Sequence, residues 1–356
     1  MMLHIAKYIF FLFLSLFFIV SCKRVDDEPI APIVPITRLY VSFSDIYVDD
    51  GTSEVYNNIV AIDPADSIID GAIRGTVLGY NSQTTNGNGR GVVFNADISR
   101  LFQAGSRDKY IRSFTLSNAG VISASTYFVD TLVTNGIRDI ALYSYLNSSN
   151  TRVNQLYVAD LNGRYVHFYL GPQSLTNYIR PTKRFYTGAN STPFGLDTSN
   201  DTLFVSMSGN AHEIRLYAGL NSSIGGEDTT VTPEILSSIT IAGATDLRGL
   251  SYSDSLDILA VADNDGKVFI IEDAKSKFSA GGEVNPTRTI TGFSNPADVA
   301  IDERSAKKRL YVADRTAHSI LLFDITTANG NATPLGTLTF GAGIARTPEF
   351  IHLDAR

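Results

Sequence analysis

The stretch RLYVADRTAHSILLFD, residues 309–324, decides the reading, because the chain writes it twice. Laid beneath it without a gap, QLYVADLNGRYVHFYL (residues 155–170) keeps Leu-Tyr-Val-Ala-Asp and the same cadence of apolar residues. Each copy has the grammar of a β-hairpin. β-formers fill RLYVAD, a turn follows at RTAH or LNGR, and a second strand lies in SILLFD or YVHFYL. LAVADNDGKVFIIED (259–273) and LFVSMSGNAHEIRLYA (203–218) are further copies, and LYVSF (39–43) followed by NNIVAID (57–63) is a looser one.

Working outward, most hairpins are preceded by another short strand with a small or acidic residue at its entry. These strands are RGVVFNA, RDIALYS, FGLDTSN, RGLSYSD, ADVAIDE and PEFIHLD. Their second residues are Gly91, Asp139, Gly195, Gly249, Asp298 and Glu349, spaced by 48, 56, 54, 49 and 51 residues. After most hairpins a fourth strand is visible, as in TPEILSSITIAG or NPTRTITG. A period near fifty with about four strands per unit predicts an all-β propeller. The ends set the count. PEFIHLDAR at the C-terminus is a first strand with no hairpin after it, and TRLYVSF (37–43) is a hairpin strand with no first strand before it. Pairing the two closes a ring of six blades and removes the open edge. Seven blades is the alternative, if residues 72–136 hold a further unit.

The unit NPADVAIDERSAKKRLYVADRTAHSILLFD (295–324) resembles the NHL repeat through Asn295, Pro296, Val299 to Asp302, Tyr311 to Asp314, His318, Phe323 and Asp324. Asp298 departs from that pattern, standing where glycine is usual. The resemblance covers most of residues 37–356 and implies a propeller. It also implies relatives of two kinds, binding modules and metal-dependent lactonases or lyases with carboxylate and asparagine ligands in the channel.

The first 22 residues, MMLHIAKYIFFLFLSLFFIVSC, place one lysine before an apolar run of thirteen residues. That run is too short to span ~30 Å of hydrocarbon as a helix and reads as a signal peptide, residues 1–21. Its end, Ile19-Val20-Ser21-Cys22, resembles the bacterial lipobox, which implies lipidation of Cys22, the only cysteine. Residues 22–36 follow as a tether stiffened by Pro29, Pro32 and Pro35. Its acidic run Asp26-Asp27-Glu28 resembles the export signal of surface lipoproteins of Bacteroidetes type. The expected address is the cell envelope, as an outer-membrane lipoprotein with the membrane as one partner; the acidic run stays open between a signal for exposure at the cell surface and a solvated linker.

With a net charge of −7 and no basic block, nucleic acid is excluded as a partner. The lack of thiols beyond Cys22 removes zinc-finger spacing and cysteine nucleophiles. Asp160, Asp263 and Asp314, which end the hairpin strands, read as caps of the following turns. His212 and His318 occupy the repeat's own histidine position. The best-placed polar set is the ring of strand entries. Asp139, Asp298 and Glu349 stand at the entry position, and Arg90, Arg138 and Arg248 one residue earlier. These six are the candidate ligand-binding residues. Adjacent carboxylates there repel unless an arginine or a divalent cation lies between them. The expected function is therefore a binding or interaction module for a polar ligand, glycan, peptide or envelope protein. The alternative is a channel-mouth enzyme of the metal-dependent lactonase or lyase type. No residue is assigned a catalytic role.

Overall fold

A strand covered on both faces cannot show a polar–apolar alternation, and the hairpin strands of the echo are of that kind. Leu310–Asp314, Ile258–Asp263 and Asn154–Asp160 are buried throughout. A computed structural model of the protein describes residues 35–45, 58–68, 76–80, 89–105, 109–133, 136–209, 212–222, 230–304, 307–340 and 346–356. The expected signal peptide, Cys22 and the tether through residue 34 lie outside them. Ile36–Arg356 form one compact unit.

Six antiparallel four-stranded blades make up that unit, which is the six-bladed propeller the repeat predicts. Blade 6 shows the plan: Pro296–Asp302 innermost, then Arg309–Asp314, Ser319–Asp324 and Gly336–Thr339. Blade 3 holds the echoed hairpin, three places around the ring, in Arg152–Asp160 and Tyr165–Leu170. The inner strands of blades 2 to 5 are Gly89–Asn95, Ile137–Leu146, Thr192–Ser199 and Leu247–Ser253. Blade 1 takes its inner strand, Pro348–Ala355, from the C-terminus, in register from Thr37↔Ala355 to Phe43↔Pro348. Each inner strand packs against the next, and the last returns to the first.

The core is divided among the blade interfaces, and period-2 side-chain alternation does the dividing. In blade 6, Leu310 and Val312 face blade 5, where they meet Ala260 and Ile270. Tyr311 and Ala313 face blade 1, among Leu39, Val41 and Ile62. In blade 3, Leu156 and Val158 join the cluster with blade 2, and Tyr157 and Ala159 the cluster with blade 4. Every copy of the hairpin thus glues two neighbours, which is why the chain repeats it.

Turn chemistry explains two sequence signals. Asp314 accepts hydrogen bonds from Ser294 N and Asn295 N ahead of the inner strand and from Ala317 N in the hairpin turn. Asp263 does the same with Thr245 N, Asp246 N and Asp265 N. One carboxylate therefore fastens the loop entering a blade to the turn of its hairpin. The residue before each third strand of blades 2 to 6 has a positive φ: Lys109, Arg164, His212, Gly266 and His318. The repeat's histidine position is a left-handed turn position, and the ring of His318 also contacts Arg346 O through Nδ1 at 3.1 Å.

The blade edges are covered by a device with no sequence pattern of its own. Asn177–Ile179 adds a parallel fifth strand to blade 2, Thr230–Val231 to blade 3 and Gly282–Val284 to blade 4. Gly330 bridges Ile290 of blade 5. In each case the covering segment belongs to the following blade, so outer edges are shielded in one rotational sense.

Candidate functional site

At the start of each inner strand the ladder slips and leaves residues out of register: Arg90-Gly91, Arg138-Asp139, Phe194-Gly195, Arg248-Gly249, Ala297 and Glu349. Bulges re-aim side chains, and here six of them stand around one end of the central channel. Glu349 is buried and ion-paired on both oxygens. Its Oε2 lies 2.5 Å from Arg90 Nη1 and its Oε1 2.8 Å from Arg315 Nη2. Arg138 and Arg248 stack on the ring of Phe194, with guanidinium carbons 4.3 and 4.8 Å from its centroid. Arg248 also donates to Asn264 Oδ1 at 2.6 Å and reaches Asp246 at 3.4 Å. Arg138 makes no hydrogen bond among the described residues. Burial, and then the charges of Arg90 and Arg248, push its pKa down to about 10. Burial lowers Arg90 and Arg248 as well.

Asp139 and Asp298 belong to the same entries, but their carboxylates are bound within the ring wall. Asp139 accepts from Ile140 N and from Leu196 N of the next blade, both at 2.7 Å. Asp298 accepts from Ile351 N of the next blade at 2.8 Å. Asp197, which the sequence reading passed over, repeats the device with Thr198 N and Tyr252 N at 2.7 Å. Burial pushes Asp139 and Asp298 well above the usual carboxylate range, with the charge of Asp139 adding to Asp298, and Asp197 up to about 7. The glycines make room for them. A Cβ on Gly249 would stand 1.9 Å from Asp298 Oδ1, and one on Gly91 2.5 Å from Asp139 Oδ1.

The six sequence candidates are thus divided. Arg90 meets Glu349, Arg138 and Arg248 share Phe194, and Asp139 and Asp298 line a different stretch of the channel. Arg315 and Phe194 complete the mouth and were missed. Arg315 directly follows the VAD aspartate of blade 6, and Phe194 holds the same pre-entry position as the three arginines, so position in the repeat was the available signal.

Beyond the aspartates the channel opens into a cavity of about 350 Å³ towards the other end of the inner strands. Asp139, Asp197, Asp254, Asp298, Glu303 and His352 line it, and no lysine or arginine does among the described residues. Burial holds His352 down at about 4. One end of the channel is cationic and the other acidic. Asn95, the one asparagine of an inner strand, is engaged with Ser144 Oγ and Ile98 N. No three His, Cys, Asp or Glu side chains stand close enough to hold a metal ion among the described residues. Asn95 is not among the residues that line the cavity.

No protein-family model matches the chain, and no curated protein sequence matches it. Solved structures do. A chain of the nidogen/laminin complex superposes with a TM-score of 0.55 at 11% identity, over 89% of this chain and 98% of that one. The periplasmic gluconolactonase of Pseudomonas aeruginosa superposes with a TM-score of 0.54 at 12% identity, over 89% and 99%. At such identities the likeness is one of fold: this chain is a six-bladed β-propeller, an architecture used both in a complex between proteins and by a lactonase.

Proposed function

We propose that the protein is a lipid-anchored binding module of the cell envelope whose channel mouth receives an anionic group, a carboxylate or sulfate carried by a glycan or a partner protein. The observation that carries this is Arg138. Its guanidinium is held against Phe194 beside Arg90 and Arg248, has no acceptor among the described residues, and carries a depressed pKa. Glu349 balances Arg90 and Arg315, so Arg138 is the open position of the network. A guanidinium fork is suited to planar anions and loses little hydration on meeting one. The NHL-like grammar of residues 295–324 and the lipobox at Cys22 support a rigid face displayed from a membrane anchor.

The test uses citrate and sulfate at constant ionic strength, read by calorimetry and thermal shift. The expected result is saturable binding that Arg138→Gln weakens at least tenfold. Stabilisation that follows ionic strength alone, or that survives Arg138→Gln, sinks the reading. For the anchor, Cys22→Ser is expected to release the protein from membranes. A variant still in the membrane fraction, with a wild type free of acyl chains by mass, refutes that part.

A further inference from the structure

A second cavity, of about 740 Å³, opens between blades 4 and 5 at the acidic end of the molecule. Its size lies within the range of small-ligand sites. The short helix Ala274–Ala280 of blade 5 forms one wall and turns Phe278 inward. Phe204, Leu216 and Leu236 of blade 4 line the rest of the apolar floor. Tyr252 lies on Phe204 with ring centroids 4.5 Å apart. Tyr252, Asp254 and Ser199 line this cavity and the acid-lined channel cavity alike, so the two meet at these residues.

We propose that this groove binds a small amphipathic amine, a free molecule with a ring-sized apolar body and one cationic head. The body enters among Phe204, Leu216 and Phe278, and the head lies past Tyr252 at Asp254. Charge complementarity selects the sign. The adjoining cavity adds the Glu303 carboxylate to that of Asp254 and offers no lysine or arginine among the described residues. Burial and the neighbouring Asp257 and Asp254 raise the Tyr252 phenol, which therefore stays protonated and hydrogen-bonded to those acids, leaving the carboxylates as the acceptors for a cation. Among the described residues the one cation lining the groove is Lys275, whose Nζ sits 3.0 Å from Asp254 Oδ1. Both partners are about half exposed, so the pair is weak and an incoming ammonium can replace it. The site is independent of the arginine mouth, and either can fail without the other.

The chain contains no tryptophan, so indole fluorescence reports a ligand without background. The probes are tryptamine, indole-3-propionate, which has the same ring and a carboxylate head, and propylamine, which has the head without the ring and is read by its displacement of tryptamine. Tryptamine is expected to bind at least tenfold more tightly than either of the others. Asp254→Asn should weaken it several-fold, and Lys275→Ala, which removes the competing cation, should tighten it roughly two- to fivefold. Both positions are exposed, so neither change endangers folding. Equal binding of the anionic and cationic probes, absence of tryptamine binding, or indifference to both substitutions would overturn the proposal.

Discussion

Gly249→Ala adds a single methyl group and tests how the ring is locked. Gly249 does not have a left-handed backbone, so its role is space. The added Cβ would meet Asp298 Oδ1 at 1.9 Å, its Cγ at 2.6 Å and its Cα at 2.8 Å. Relief requires the Asp298 carboxylate to move, and moving it breaks the bond to Ile351 N, the polar tie between blades 6 and 1. Overpacking of this kind costs about 1–3 kcal/mol. Leaving the buried Ile351 N–H without its carboxyl acceptor costs about 1–3 kcal/mol more. Together they reach roughly a third of the net stability of a folded domain. At ~2–4 °C per kcal/mol, the mid-range cost of about 4 kcal/mol should lower the melting temperature by ~8–16 °C. The decisive assay is a double-mutant cycle read by thermal circular dichroism. Asp298→Gly alone loses the tie and is destabilising. Combined with Gly249→Ala it should cost clearly less than the sum, because a facing pair without side chains already exists where Gly195 meets Gly249. A Gly249→Ala protein that melts within about 2 °C of wild type, or strict additivity in the cycle, would refute the interlock.

Three further outcomes are expected. Deleting residues 347–356 removes Phe350, Ile351 and the register with Thr37–Phe43, at ~1.5–3 kcal/mol per large buried side chain, and should leave no cooperative melt near the wild-type temperature. Asp314→Ala strands three backbone N–H groups and should lower stability by ~2–4 kcal/mol in denaturant titration, whereas Asp265→Ala on the exposed turn should be near neutral. For Asp197, raised from 3.8 to about 7, the folded state holds a proton that the unfolded state has lost between about pH 4 and 7, so its contribution to stability falls as pH rises through that window. His352, lowered from 6.5 to about 4, contributes stability that rises over nearly the same window. Asp197→Asn removes only the falling part, so the variant's stability should climb more steeply from pH 4.5 to 7.5 than that of the wild type; equal slopes would count against a protonated Asp197.

The propeller was legible because its hairpins repeat and because each end of the chain lacks what the other supplies. The edge-covering segments were not, since two or three residues such as Thr230–Val231 have no periodicity to read. The entry residues show a subtler limit. Glycine, aspartate, glycine, glycine, aspartate and glutamate at one repeat position suggest a single polar ring, yet their roles differ by neighbour. Asp139 and Asp298 each fill the space left by the glycine of the preceding blade, while Glu349 is the bulged residue of its strand and turns to the arginines. A one-dimensional repeat gives the position in a blade. It does not say what stands across the interface.

That position also gives the sharpest test of why arginine is present at the mouth. The pre-entry residues are Arg90, Arg138, Phe194, Arg248 and Ala297, so the blade accepts an aromatic or a methyl group there as readily as a guanidinium. The fall in the pKa of Arg138 from 12.5 to about 10 means that the charged form is disfavoured where it sits. At ~1.4 kcal/mol per unit this is a cost of up to about 3 kcal/mol, reduced by whatever water reaches the open mouth. Arg138→Met keeps an unbranched apolar stem on Phe194 and removes the charge. The variant should therefore melt higher than wild type by a few degrees while losing the citrate response. A residue retained for the ring itself would show the opposite, a lower melting temperature with citrate binding unchanged. Such a result would turn the arginine mouth into a structural rim and remove the ligand from it.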